Sequence, residues 1–170
     1  MWDSCFMLMF GRYGARAFNF QRTLDNFYAR QHIDGFICRE IAIADGFERV
    51  ERFDPSSTGP NVMPWSEWEY YQNTHDKERL ARVFPVLLAY TQWFSKYRSW
   101  PDGSYWSSGW GCRMDNQPRL PAGCNDWFDH GHMAWIDTTL QQLFANKLLM
   151  KMGRVLGREA DTAGIAEETD

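Results

Sequence analysis

Apolar residues recur at helical spacing in two long stretches and several shorter ones. Leu80, Val83, Phe84, Leu87, Leu88 and Phe94 fall three and four apart, the stripe of a buried helix face. Asp76 stands where that helix needs an N-cap, and Pro85 within the stripe predicts a kink or a restart. Leu140, Leu143, Phe144, Leu148, Met152 and Val155 define a second stripe from Ile136 onward, stopped by Gly157. Residues 4–12 predict a short apolar helix ending at Gly11 or Gly14. Residues 15–31 predict an amphipathic helix with Phe18, Leu24, Phe27 and Tyr28 on its apolar face. Ser66-x-x-Glu69 has capping-box spacing and opens a further helix.

Between these stretches the periodicity stops. Asp34-Gly35 is a turn signal, followed by the short extended run Phe36-Ile37-Cys38. Residues 41–52 suit either a helix or irregular chain. The Pro- and Gly-bearing stretch Phe53–Pro64 reads as a loop. Arg98–Trp135, interrupted by Pro101, Pro118 and Pro121, is long enough to imply function rather than mere connection. The tail from Arg158 is acidic and rich in small residues, a loop or a first helical turn. The pattern is all-α: helix pairs, antiparallel within a pair, with aromatic- and acid-rich loops gathered at one end.

Composition narrows the function. The chain has 170 residues, and one domain spanning 1–170 is expected. A net charge of −4 argues against a nucleic-acid footprint, which needs a basic face. Nine tryptophans exceed what a surface explains, so a large core or a ligand cleft is implied. Sugars use such residues: C–H faces stack on indoles while hydroxyls pair with carboxylates and amides. Cys5, Cys38, Cys112 and Cys124 form no C-x-x-C pair and read as free thiols of a reducing compartment. The histidines offer only His130-x-His132, too little for a metal site, and no cofactor is expected. The apolar start CFMLMF is too short to span a membrane and has no basic flank or cleavage signal, so a cytoplasmic location without membrane contact is expected. Ser107 and Ser108 lack the G-x-S-x-G elbow of a serine nucleophile.

The stretch Ser107–Leu120, SSGWGCRMDNQPRL, holds one carboxylate, Asp115, among glycines, an indole, amides and arginines. Read alone, Asp115 suits either an Asx-turn or a catalytic acid. Three motifs in order change that balance: Trp2-Asp3-Ser4, Asp34-Gly35-Phe36-Ile37-Cys38-Arg39-Glu40, and Gly111-Cys112-Arg113-Met114-Asp115-Asn116-Gln117-Pro118-Arg119. Together they resemble the (α/α)6-barrel glycoside hydrolases of the family 63 type, which include mannosylglycerate hydrolase and, more distantly, trehalases. The likeness extends to Asp137–Glu159 and so covers nearly the whole chain. It implies a partial toroid of helix pairs and an inverting hydrolase of α-linked glucosides or mannosides, acting on an oligosaccharide or small glycoside. In that family the aspartate of the third motif is the general acid, which falls on Asp115. Trp2 and Asp3 would line the sugar pocket. Trp65, Trp110, Arg39, Glu40, Asn116 and Arg119 would supply further aromatic or hydrogen-bonding contacts.

A glycosidic oxygen leaves only when protonated, so Asp115 must stay neutral near pH 7. Burial against Trp106 and Trp110 would raise its pKa, and Arg113 or Arg119 alongside would oppose the rise. Inversion also needs a second carboxylate about 6.5–9.5 Å away to activate water. The family's base is a glutamate far downstream of the acid loop. Twelve helices of about 12 residues with loops of about 5 need on the order of 200 residues. The expectation is therefore roughly half a barrel whose base lies outside the chain. Self-association or the remainder of the barrel would then cover its open edges. Glu67, Glu69, Asp129 and Asp137 are the acids within the chain that could substitute as base. The alternatives are a non-catalytic carbohydrate-binding fragment and a helical scaffold with no ligand.

Overall fold

A computed structural model of the chain describes residues 1–114 and 132–169. It is all-α, with helices α1 (Trp2–Gly11), α2 (Asp25–Tyr28), α3 (Met63–Thr74), α4 (Lys77–Tyr97), α5 (Gly109–Cys112), α6 (Ile136–Leu156) and α7 (Ala163–Glu167). The strands are the short β1 (Trp106–Ser107) and β2 (Met133–Ala134), paired antiparallel with Trp106 opposite Ala134.

The helices form two layers. Helix α1 packs on α3, and α3 on α6. These three run in one direction. Phe6 touches Trp65, while Arg12, just past the end of α1, reaches Glu69 further along α3. Asn61 bonds Gln142, and Trp65 meets Phe144 one turn later. Helix α4 packs against α3 and α6 and runs opposite to α6: Thr91 sits beside Gln142, near the α6 start, and Phe84 lies under Arg158, past its end. The 3₁₀ turn Phe20–Leu24 backs α1, and the 3₁₀ turn Glu159–Thr162 with α7 backs α6. The order is inner helix then outer element, repeated, which is a partial toroid. Because inner helices are parallel, their N-termini gather at one end.

Local chemistry explains most boundaries. Asp76 Oδ1 accepts from the Arg79 N–H at 2.9 Å, the expected N-cap of α4. Gly157 ends α6 in the left-handed conformation, φ 69°. The core is continuous through Leu24, Phe36, Ile37, Leu80, Phe84, Leu87, Leu149 and Met152, each essentially inaccessible to water. Burial of each large aliphatic or aromatic side chain contributes about 1.5–3 kcal/mol.

Several expectations are corrected. Residues 15–31 form a 3₁₀ turn and the short α2 rather than one amphipathic helix, and Phe18 is exposed. Helix α3 starts at Met63 with Pro64 in its first turn, so Ser66 is a buried helical residue and not a cap. Helix α4 runs through Pro85 without restarting. Pro85 lies on the solvent face, where water can satisfy the carbonyl that the missing N–H leaves free. On α6 the buried face is Thr138, Gln142, Ala145, Asn146, Leu148, Leu149 and Met152, while Leu140 and Phe144 are exposed. Polar residues can take that face because Gln142 and Asn146 are hydrogen-bonded to Asn61, Thr91 and Glu168. Asp137 lies in the first turn of α6, whose N-cap is Trp135. The tail folds back, with Ser95, Tyr105 and Asn146 all bonding Glu168.

Cys5 and Cys38 are free and buried, and Cys112 is buried. Burial pushes the Cys5 thiol up to about 12 and that of Cys38 up to about 11. Both thiols therefore stay protonated and unreactive in the native state. A thiol-reactive disulfide reagent at pH 8 is expected to modify these positions only after denaturant is added, and peptide mapping of native protein checks it. The raised values also mean that the folded state holds protons an unfolded chain releases, so this contribution to stability falls as pH rises above about 9. Rapid native labelling of Cys5 would contradict the assignment.

Candidate active-site end

Four aromatic rings cross the inner layer near its N-terminal end. Trp2 meets Phe6 edge-on at 4.7 Å, Phe6 meets Trp65 at 5.7 Å, and Trp65 meets Phe144 at 5.6 Å between centroids. The row spans α1, α3 and α6. Trp2, Phe6 and Trp65 are half-buried and Phe144 is exposed, so the row offers apolar faces and edges to solvent. Edge-to-face contacts fix the rings relative to one another. The helix N-termini nearby carry partial positive charge, which favours oxygen-rich or anionic groups.

A polar cluster adjoins the start of α1. The Met1 ammonium donates to the Arg39 carbonyl at 2.9 Å, which fastens the Phe36–Arg39 segment to the helix start. Burial lowers the pKa of that ammonium. The Arg39 guanidinium lies over the Trp110 ring at 3.9 Å and donates to the Trp110 carbonyl at 3.1 Å and the Ser56 carbonyl at 3.3 Å. It is buried, 4% exposed, and supports Trp110. Helix α5 is set by Ser108, whose Oγ accepts from the Gly111 N–H at 2.8 Å. A Cβ on Gly111 would sit 2.4 Å from the Ser107 Oγ, so glycine is required for this approach. Just beyond, Arg113 takes the left-handed conformation at φ 63° and donates to Asp3 Oδ2 at 3.1 Å. Asp3 is 73% exposed in its side chain, so this pair orients the carboxylate and contributes little to stability.

Trp2, Asp3, Arg39 and Trp110 are thus brought together, and Trp65 joins Trp2 through Phe6. Glu40 is set apart: it is exposed and its nearest cation is Arg49 at 3.8 Å. Trp106 is also elsewhere, over Arg98 at 4.2 Å and beside His132 at 4.3 Å. Asp115, Asn116 and Arg119 lie outside the described residues, as does Asp129; the described chain stops at Met114. Phe6 and Phe144 were not distinguished by the sequence. Both have helical spacing, and periodicity does not separate a core residue from one facing a cleft.

The remaining candidate bases have other partners. Glu67 is 1% exposed, holds Arg79 at 2.7 and 2.9 Å, and accepts from the Tyr28 hydroxyl at 2.8 Å. Burial pushes the Tyr28 pKa well up, and the neighbouring Glu67 charge adds to that. For Arg79, burial pulls down, but hydrogen bonding and the charge of Glu67 outweigh it and raise the pKa. Glu69 pairs with Arg12 at 3.1 Å. No group of three or more His, Cys, Asp or Glu suited to a metal exists among the described residues. No described helix is long and apolar enough to cross a membrane.

The aromatic row and the Asp3–Arg113 pair thus sit together on a helical domain. The profile of the mannosylglycerate hydrolase MGH1-like glycoside hydrolase domain matches residues 1–170, and the chain belongs to that family. Neither the search of curated proteins nor that of solved structures found a match. Membership implies a glycosidase-type function and a carbohydrate substrate.

Proposed function

We propose that this domain hydrolyses an α-linked glucoside or mannoside with inversion, Asp115 acting as general acid. The carrying observation is the aromatic row from Trp2 to Phe144 with Asp3 beside it, since a sugar ring needs an apolar face and a fixed hydroxyl acceptor together. Trp2 and Trp65 stack on C–H faces and Asp3 accepts from hydroxyls. Trp110, held by Arg39, shapes the wall. Asn116 and Arg119 donate to sugar oxygens. The proton of Asp115 passes to the glycosidic oxygen as the C–O bond breaks. Water adds to the anomeric carbon from the opposite face and loses its proton to a base. Glu67 and Glu69 are engaged by Arg79 and Arg12, which argues against either of them as that base and favours one outside residues 1–170. On this reading residues 1–170 form about half of a toroid. The exposed flank of α6 (Ile136, Leu140) then faces the remaining helices or another copy.

Proton NMR of the first turnovers by the protein carrying the domain tests the mechanism. With a methyl α-mannoside or α-glucoside, the β-anomer of the free sugar is expected first. An α-anomer appearing first contradicts inversion. Saturable sugar binding with no release of product would favour the alternative, a carbohydrate-binding domain without hydrolysis.

A further inference from the structure

A cavity of about 340 Å³ opens beside the C-terminal turns of α4, away from the aromatic row. Its floor is Arg98, only 3% exposed and stacked between Trp106 at 4.2 Å and Trp93 at 5.2 Å. The Arg98 Nη1 and Nη2 donate to the carbonyls of Pro55 and Asp54 and to Ser57 Oγ, all neutral acceptors. Among the described residues no carboxylate lies within ion-pair distance of it. Burial pushes its guanidinium down to about 10, so it remains charged at pH 7. Asp34 also lines the cavity but is taken by Arg52 and by the Trp93 indole N–H at 3.2 Å. The lining therefore carries one net positive charge. At the mouth, Phe53 is 88% exposed and Tyr97 42%.

The Asp54 carboxylate acts on Arg98 only from beyond ion-pair distance, so a buried guanidinium whose hydrogen-bond acceptors are all neutral still gains from an anion brought into contact with it. Aromatic faces at the mouth suit a ring with C–H faces, and the volume suits one monosaccharide. We propose that this cavity binds a carboxylated monosaccharide of the hexuronate class, its carboxylate on Arg98 and its ring against Phe53 and Trp106. A multivalent phosphate fits less well, because the lining carries only one net positive charge. The site is separate from the Trp2–Trp65 row and does not depend on the catalytic reading above.

The test is a two-dimensional NMR titration of the 170-residue chain, reading the tryptophan indole N–H resonances. Sodium D-glucuronate is the probe, with D-glucose and inorganic phosphate as controls. Glucuronate is expected to shift the Trp93 and Trp106 signals saturably, with glucose at least about tenfold weaker for want of the charged hydrogen bond. Phosphate is expected to be weaker too, since it cannot use the aromatic mouth. Arg98 also ties down the 54–57 loop, so Arg98→Lys can disturb folding. Phe53→Ala, at an exposed position, is the cleaner variant and is expected to weaken glucuronate by about fivefold without shifting Tm. Trp65→Ala should leave glucuronate binding unchanged. Absence of a saturable shift, equal binding of glucose or phosphate, or loss through Trp65→Ala with Phe53→Ala silent would each overturn the proposal.

Discussion

Asp115→Asn, made in the protein that carries this domain, is expected to lower kcat by about 10²–10⁴-fold, the range general acid catalysis supplies. The amide keeps the shape of the carboxyl but has no proton to give at neutral pH. Sugar affinity should therefore change little, and the loss should fall on kcat rather than KM. Substrates with an activated leaving group, such as a nitrophenyl glycoside, need less protonation and should recover part of the rate. Steady-state kinetics on natural-type and activated glycosides separates the two contributions. Unchanged kcat on an unactivated glycoside would remove Asp115 from the mechanism.

Glu67→Ala is expected to destabilise the fold by about 3–5 kcal/mol, because it leaves a buried guanidinium short of its main partner. Arg79 is 3% exposed and donates to both Glu67 oxygens and to the Gln21 carbonyl. Asp25 at 3.0 Å remains but is far more exposed, so it compensates only in part. The loss is structural, since this network joins α3, α4 and the turn behind α1. Urea unfolding measures it. The double change Glu67→Leu with Arg79→Met should cost much less than the single one, because no unpaired charge remains. A cost below about 1 kcal/mol for Glu67→Ala would mean that water or a rearranged partner satisfies Arg79.

The extent of the long helices was legible in the sequence, because Asp76 opens α4 and Gly157 closes α6. It carried the family through motifs with little periodicity at all. It did not carry which face of an inner helix meets solvent. Leu140 and Phe144 sit at core spacing yet stay exposed, while Gln142 and Asn146 are buried and hydrogen-bonded. A helix with neighbours on several sides has no single apolar stripe to read. Arg39 was legible as a pocket candidate but not as the support beneath Trp110, a contact across 71 residues. Trp106 was placed beside Trp110 by proximity in sequence. The β1 pairing with β2 turns it instead toward Arg98 and His132. Trp106 lies on β1 and Trp110 on α5, so closeness in sequence does not fix which way each ring points.

Sugar recognition at the N-terminal end of the inner helices, as proposed, is tested most directly by ligand binding. Saturation-transfer NMR with methyl α-mannoside and methyl α-glucoside on the 170-residue chain should show binding of at least one. Trp65→Ala should weaken it by about tenfold, the effect of losing an aromatic platform, while Phe53→Ala leaves it unchanged. Binding undiminished by Trp65→Ala, or no binding of either glycoside, would contradict the account.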